Sequence, residues 1–156
     1  MNRPPEVAKE TYIPGGMRIE YIGSGEGLTL AGYNAAAVRT VRLAANLNII
    51  IDELGIGFLN ALKRAKGQDD GYAQWMETPI NISDLETRSP KDGAILAALQ
   101  KRCDKQKNEL FYCDGLERAK KNSGLFFTHG DGRIVILEPR TLQMHVAFSG
   151  PYTGRR

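Results

Sequence analysis

The chain has 156 residues, 42% hydrophobic and 25% charged, with a formal net charge of +3. That length supports one domain with a full core, and the composition excludes a disordered, fibrous or collagen-like chain. The two cysteines are too few for a disulfide-framework mini-protein.

Residues 1–16, with Pro4, Pro5 and Pro14, read as an extended arm. The arm lacks the apolar run of a signal peptide. The most apolar window, "LAANLNIIIDELGIGFL", carries Asn46, Asn48, Asp52 and Glu53 and is a poor membrane span. The expectation is a cytoplasmic protein, bacterial or viral, with no membrane partner.

Met17 to Ile22 and Leu28 to Tyr33 alternate apolar residues around "GSGEG", the pattern of a hairpin with a glycine-rich loop. Gly23, Gly25 and Gly27 give G-x-G-x-G with no following lysine, so neither phosphate-binding fingerprint is met. Asn34 is suited to cap a helix through "AAAVRTVRLAANLNIIIDEL". On that helix Val38, Val41, Ala45 and Ile49 form one stripe, and Leu43, Leu47, Ile50 and Leu54 form another. Two apolar faces need two covers, which implies a central helix or one shared with a second copy. Gly55 and Gly57 then predict a break into a second helix, Phe58 to Lys66, with a basic C-terminal end.

Residues 68–90 are irregular and acidic, five carboxylates against one arginine. They hold Tyr72 and the single Trp75, either anchors for the segment or aromatics lining a ligand pocket. "INI" at residues 80–82 is a candidate edge strand. "SPKD" signals a helix start, with Ser89 as cap, Pro90 in the first turn and Asp92 closing a capping box. The pattern continues to about Asn122, with Gly115 as a possible break. On one continuous helix Cys103 and Cys113 would be separated by roughly 15 Å, so reduced thiols are expected.

The stretch from Gly124 to Phe148 predicts a three-strand meander. Asp131-Gly132 is a type I′ turn pair, and Pro139 turns the second corner. Without a bulge, His129 and His145 would flank Ile134 on one face, about 10 Å apart. That spacing suits an acid/base couple acting on a phosphate or glycosyl group, with Asp131 or Glu138 orienting one imidazole. It does not suit a shared metal, and the Cys and His spacings match no zinc module. No cofactor is implied.

The fold expected is a single α+β domain over residues 17–150: an antiparallel sheet, made of an N-terminal hairpin and the C-terminal meander, packed with two to four helices on one face. Residues 151–156 form a basic tail. With no catalytic or cofactor motif of any specificity, the leading functional expectation is a non-enzymatic binding protein, an inhibitor, adaptor or assembly component. It would act through a protein surface and self-associate, most simply as a dimer. The alternative is a hydrolase using His129 and His145. The further alternative is a nucleic-acid binder, whose anion-contacting candidates are Arg39, Arg42, Lys63, Arg64, Arg133, Arg155 and Arg156.

Overall fold

The computed structural model describes residues 14, 19–30, 33–65, 71–105 and 111–149. The expected N-terminal arm, apart from Pro14, and the basic tail with Arg155 and Arg156 lie outside the described residues. Six strands form one antiparallel sheet in the order β1-β2-β6-β5-β4-β3. They are β1 (Ile19–Leu30), β2 (Tyr33–Leu43), β3 (Met76–Glu77), β4 (Phe126–His129), β5 (Arg133–Glu138) and β6 (Gln143–Ser149). The helices are α1 (Leu47–Ala65), α2 (Ile82–Arg88), α3 (Pro90–Lys105) and α4 (Phe111–Lys121). The fold is the expected α+β arrangement of hairpin, helices and meander.

Its N-terminal half departs from expectation in detail. The hairpin is β1 with β2, so "GSGEG" lies inside β1 and the residues after Asn34 are strand, not helix. Register shifts between Ile22 and Gly25 and between Leu28 and Leu30 take up the extra residues, a use of bulges to which glycine is suited. β2 is extended because both of its faces are covered. Ala36 and Val38 belong to one core cluster and Val41 and Leu43 to the other, all fully buried. Val38, Thr40 and Val41 are β-branched and fit such a strand.

The helices therefore cover both faces of the sheet, not one. α3 and α4 supply Ile95, Leu96, Leu99 and Leu116 against Leu28, Val38, Ile134, Ile136 and Ala147. Each such aliphatic side chain contributes about 2 kcal/mol when fully buried. On the opposite face Ile51 and Leu59 of α1, with Tyr72 and Trp75, cover Val135, Leu137, Met144 and Val146. α1 kinks at Gly55, whose φ of 61° takes it out of the helical region, where the glycine pair predicted a break. The two-striped helix thus resolves into a strand and a shorter helix. Ile49, Ile50 and Leu54 of α1 stay exposed, at 59%, 37% and 60%.

The expected long helix is two helices, α3 and α4, and Gly115 sits within the second rather than at the break. The division removes the distance that argued for reduced thiols. Cys103 and Cys113 come to a Cα separation of 5.4 Å and form a disulfide buried in the core between α3, α4 and the sheet. The edge strand also shifts: β3 is Met76–Glu77, while Ile82 opens α2 behind Asn81, whose side chain accepts the Asp84 amide at 2.9 Å.

Candidate functional site

β4 is short and its two phenylalanines face opposite cores, Phe126 with α1 and Phe127 with α3. Alongside it runs the segment 71–80, fastened at both ends. The Ala73 amide donates to the His129 carbonyl at 2.7 Å, and the Thr128 hydroxyl donates to the Ala73 carbonyl at 2.6 Å. Further on, the Thr78 amide donates to the Leu125 carbonyl at 3.0 Å and the Ile80 amide to Ala119 at 2.8 Å. Gly130 permits the close approach at the start of this segment, since a Cβ there would stand 1.8 Å from the Gly71 carbonyl oxygen. α2 then folds back against α3, with Gly93 packed onto the Glu86 backbone.

Between the β3 edge and α2 lies an open cleft of about 620 Å³. The segment from Ala73 to Glu77 forms one wall and Asn81, Asp84, Leu85 and Arg88 the other, with Phe127 and His129 between. Met76, Leu85 and Phe127 give it apolar surface. Glu77, Asp84 and Arg88 are its exposed charges, and Arg88 donates to Asp84 at 3.3 Å.

His129 is the cleft's imidazole, held by a group the sequence reading assigned elsewhere. Its Nδ1–H donates to Asp92 Oδ2 at 2.7 Å, and the second oxygen of Asp92 accepts the Gly132 amide at 2.6 Å. Asp92 closes no capping box. It is only 5% exposed and ties the first turn of α3 to the β4–β5 turn. A carboxylate only accepts, so the proton on Nδ1 is fixed and Nε2 is the acceptor of the neutral ring. Among the described residues no group partners Nε2. Asp131, expected to orient a histidine, has an exposed side chain 3.6 Å from Arg133.

The β4–β5 turn is the expected type I′, with φ of 55° at Asp131 and 76° at Gly132. The β5–β6 connection is longer than an unbulged pairing requires. A 3₁₀ turn over Pro139–Thr141 ends at Leu142 in the left-handed region, and Glu138 pairs with Gln143. His145 accordingly pairs with Ile136, while His129 pairs with Ile134. The register is displaced by an even number of residues, so the two histidines keep one sheet face. They do not flank one residue.

Each imidazole has its own acid. His145 Nε2–H donates to Glu138 Oε2 at 2.6 Å, and the Thr40 hydroxyl lies 2.9 Å from Nδ1. Glu138 Oε1 accepts from Arg118 Nη2 at 2.6 Å and Nε at 3.0 Å. The His145 side chain is 1% exposed and both its ring nitrogens are engaged, so this second network joins β2, β5, β6 and α4 rather than serving the cleft. Gly115 makes room for it: a Cβ would stand 2.6 Å from Glu138 Oε2. Burial alone would raise the Glu138 pKa. The hydrogen bond and charge of His145, joined by those of Arg118, outweigh burial and hold it below the ordinary carboxylate value.

Among the candidate anion contacts, Arg133 donates Nε to the Gly130 carbonyl at 2.9 Å and stacks over Tyr72 at 4.0 Å. Arg39 and Arg42 are an odd number of residues apart on β2 and so face opposite sides of the sheet. Lys63 and Arg64 belong to α1, and their side chains lie outside the described residues. Tyr72 and Trp75 are 5% and 2% exposed and anchor their segment, as one of the two readings held; Trp75 also reaches the cleft wall. No group of three or more metal-ligating side chains occurs among the described residues, and no helix there is long and apolar enough to cross a membrane. Compared with known proteins, the chain matches no family model, no curated sequence and no solved structure.

Proposed function

We propose that this chain is a small non-enzymatic binding protein whose site is the cleft, where it takes an extended segment of a partner protein as an added strand beside β3. The observation that carries this reading is the position of the cleft: it opens along the sheet's terminal strand and is walled on its other side by a helix. A terminal strand offers backbone groups to an incoming chain, and the flanking helix supplies side-chain contacts that select it.

Selection from a display library of extended peptides, using the full chain as bait, tests the proposal. Binders are expected, and Ala73→Trp should abolish their binding, because Ala73 is an exposed residue on the cleft wall and an indole there fills the groove. Binders indifferent to Ala73→Trp would place the site elsewhere.

Self-association through α1 is a second reading, supported by exposed Ile49, Ile50 and Leu54. Light scattering is expected to give a dimer for the wild-type chain and a monomer for Leu54→Glu. A wild-type monomer at high concentration would remove this reading. The buried disulfide supports a working environment in which thiols oxidise, in place of the cytoplasmic location expected from the sequence.

A further inference from the structure

The side chains of the cleft narrow the choice of segment. In the neutral ring Nε2 of His129 is an acceptor with no partner among the described residues, and Glu77 and Asp84 are exposed acceptors on the two walls. Arg88 is the one cation among the lining residues, and Asp84 already engages it. Two of the five carboxylates of residues 68–90, Glu77 and Asp84, line the cleft, in a chain whose net charge is +3. With Asp84 paired to Arg88, Glu77 leaves the lining one net negative charge beside the His129 acceptor, on a chain whose net charge is positive. A ligand that completes this site brings hydrogen-bond donors and positive charge.

We infer that the cleft selects a cationic segment, an extended peptide carrying lysine or arginine. The basic head groups face Glu77 and Asp84, and a donor of the segment meets His129 Nε2. The methylene stems lie on Met76 and Phe127, as the stems of long basic side chains do on apolar surface. Asp92 is a positioning residue here: by holding Nδ1–H it keeps Nε2 as the accepting atom. The same charge disfavours nucleic acid at this site, since a phosphate backbone would meet the exposed Glu77 carboxylate.

This inference rests on the cleft being the binding site, and the test separates the two. Three labelled extended peptides, alike except for two lysines, two glutamines or two glutamates at alternate positions, are titrated onto the full chain by fluorescence anisotropy. The lysine peptide is expected to bind about fivefold more tightly than the glutamine peptide for each exposed ion pair formed, and the glutamate peptide most weakly. The double variant Glu77→Gln, Asp84→Asn should erase that order. His129→Phe should weaken the lysine peptide, and His129→Gln, which restores an acceptor, should recover part of the loss. Equal binding of the lysine and glutamine peptides, or an order that survives the double variant, overturns the inference and leaves strand addition standing. No binding by any of the peptides overturns both.

Discussion

Glu138→Ala is expected to lower the stability of the folded chain by about 2 kcal/mol, the cost of leaving a buried hydrogen-bonding group without its partner. For a domain of this size that corresponds to a fall of about 6 °C in melting temperature. The substitution leaves the His145 imidazole, 1% exposed, without its acceptor and frees Arg118 from the sheet. The pH dependence has a definite sign. The folded-state pKa of Glu138 lies below the unfolded value of 4.5, so the unfolded chain holds this proton more tightly. The Glu138 contribution is complete above that unfolded value and is lost as pH falls through the depressed folded one. Glu138→Gln should therefore be less stable than wild type at neutral pH, and the gap should close as the solution is acidified below about 4.5. Chemical denaturation of both proteins across that range measures it. A gap that does not change with pH would show that the carboxylate charge is not what holds the network.

Reduction of the Cys103–Cys113 disulfide is the second large effect. The bridge closes a loop with a sequence separation of 10, for which loss of the cross-link costs about 2.7 kcal/mol through the entropy of the unfolded chain. Thermal unfolding with and without reductant is expected to differ by about 8 °C, and the double variant Cys103→Ala, Cys113→Ala should melt near the reduced protein. Thiol titration of the untreated, denatured chain is expected to find no free cysteine. Two titratable thiols and a melting curve indifferent to reductant would contradict the assignment.

The C-terminal meander was legible because its local signals agree. The Asp131-Gly132 pair demands left-handed angles that suit a two-residue hairpin, and Gln143 to Phe148 alternates cleanly. The N-terminal half was not, for a physical reason. β2 is buried on both faces, so it lacks the alternation of polar and apolar residues that marks a half-exposed strand. Asn34 and the alanines then mimic a capped helix. The shift of His145 from Ile134 to Ile136 arose in the 3₁₀ turn, whose length proline alone does not set.

Half of the site was legible. His129 drew notice as a scarce residue, while Glu138, the other orienting acid considered, pairs with His145 away from the cleft. Asp92 was missed because a carboxylate in the first turn of a helix has the same local signature whether it caps that helix or reaches a distant imidazole. Only the tertiary approach of α3 to the β4–β5 turn separates the two. The cysteines failed for a related reason, since helical periodicity continued across a boundary that the chain uses to bring them together. The acidic bias of residues 68–90 was visible from the outset, but only the fold shows that two of its carboxylates, Glu77 and Asp84, line the cleft.

The claim that this cleft is where the protein meets its partner is tested most directly by amide chemical-shift mapping of the full chain titrated with the lysine peptide. The expected shifts are confined to residues 73–77, 81–89 and 127–129, with new protection from exchange in β3 as a strand is added. Shifts centred on the exposed ridge of α1, or spread without relation to the cleft, would contradict the account.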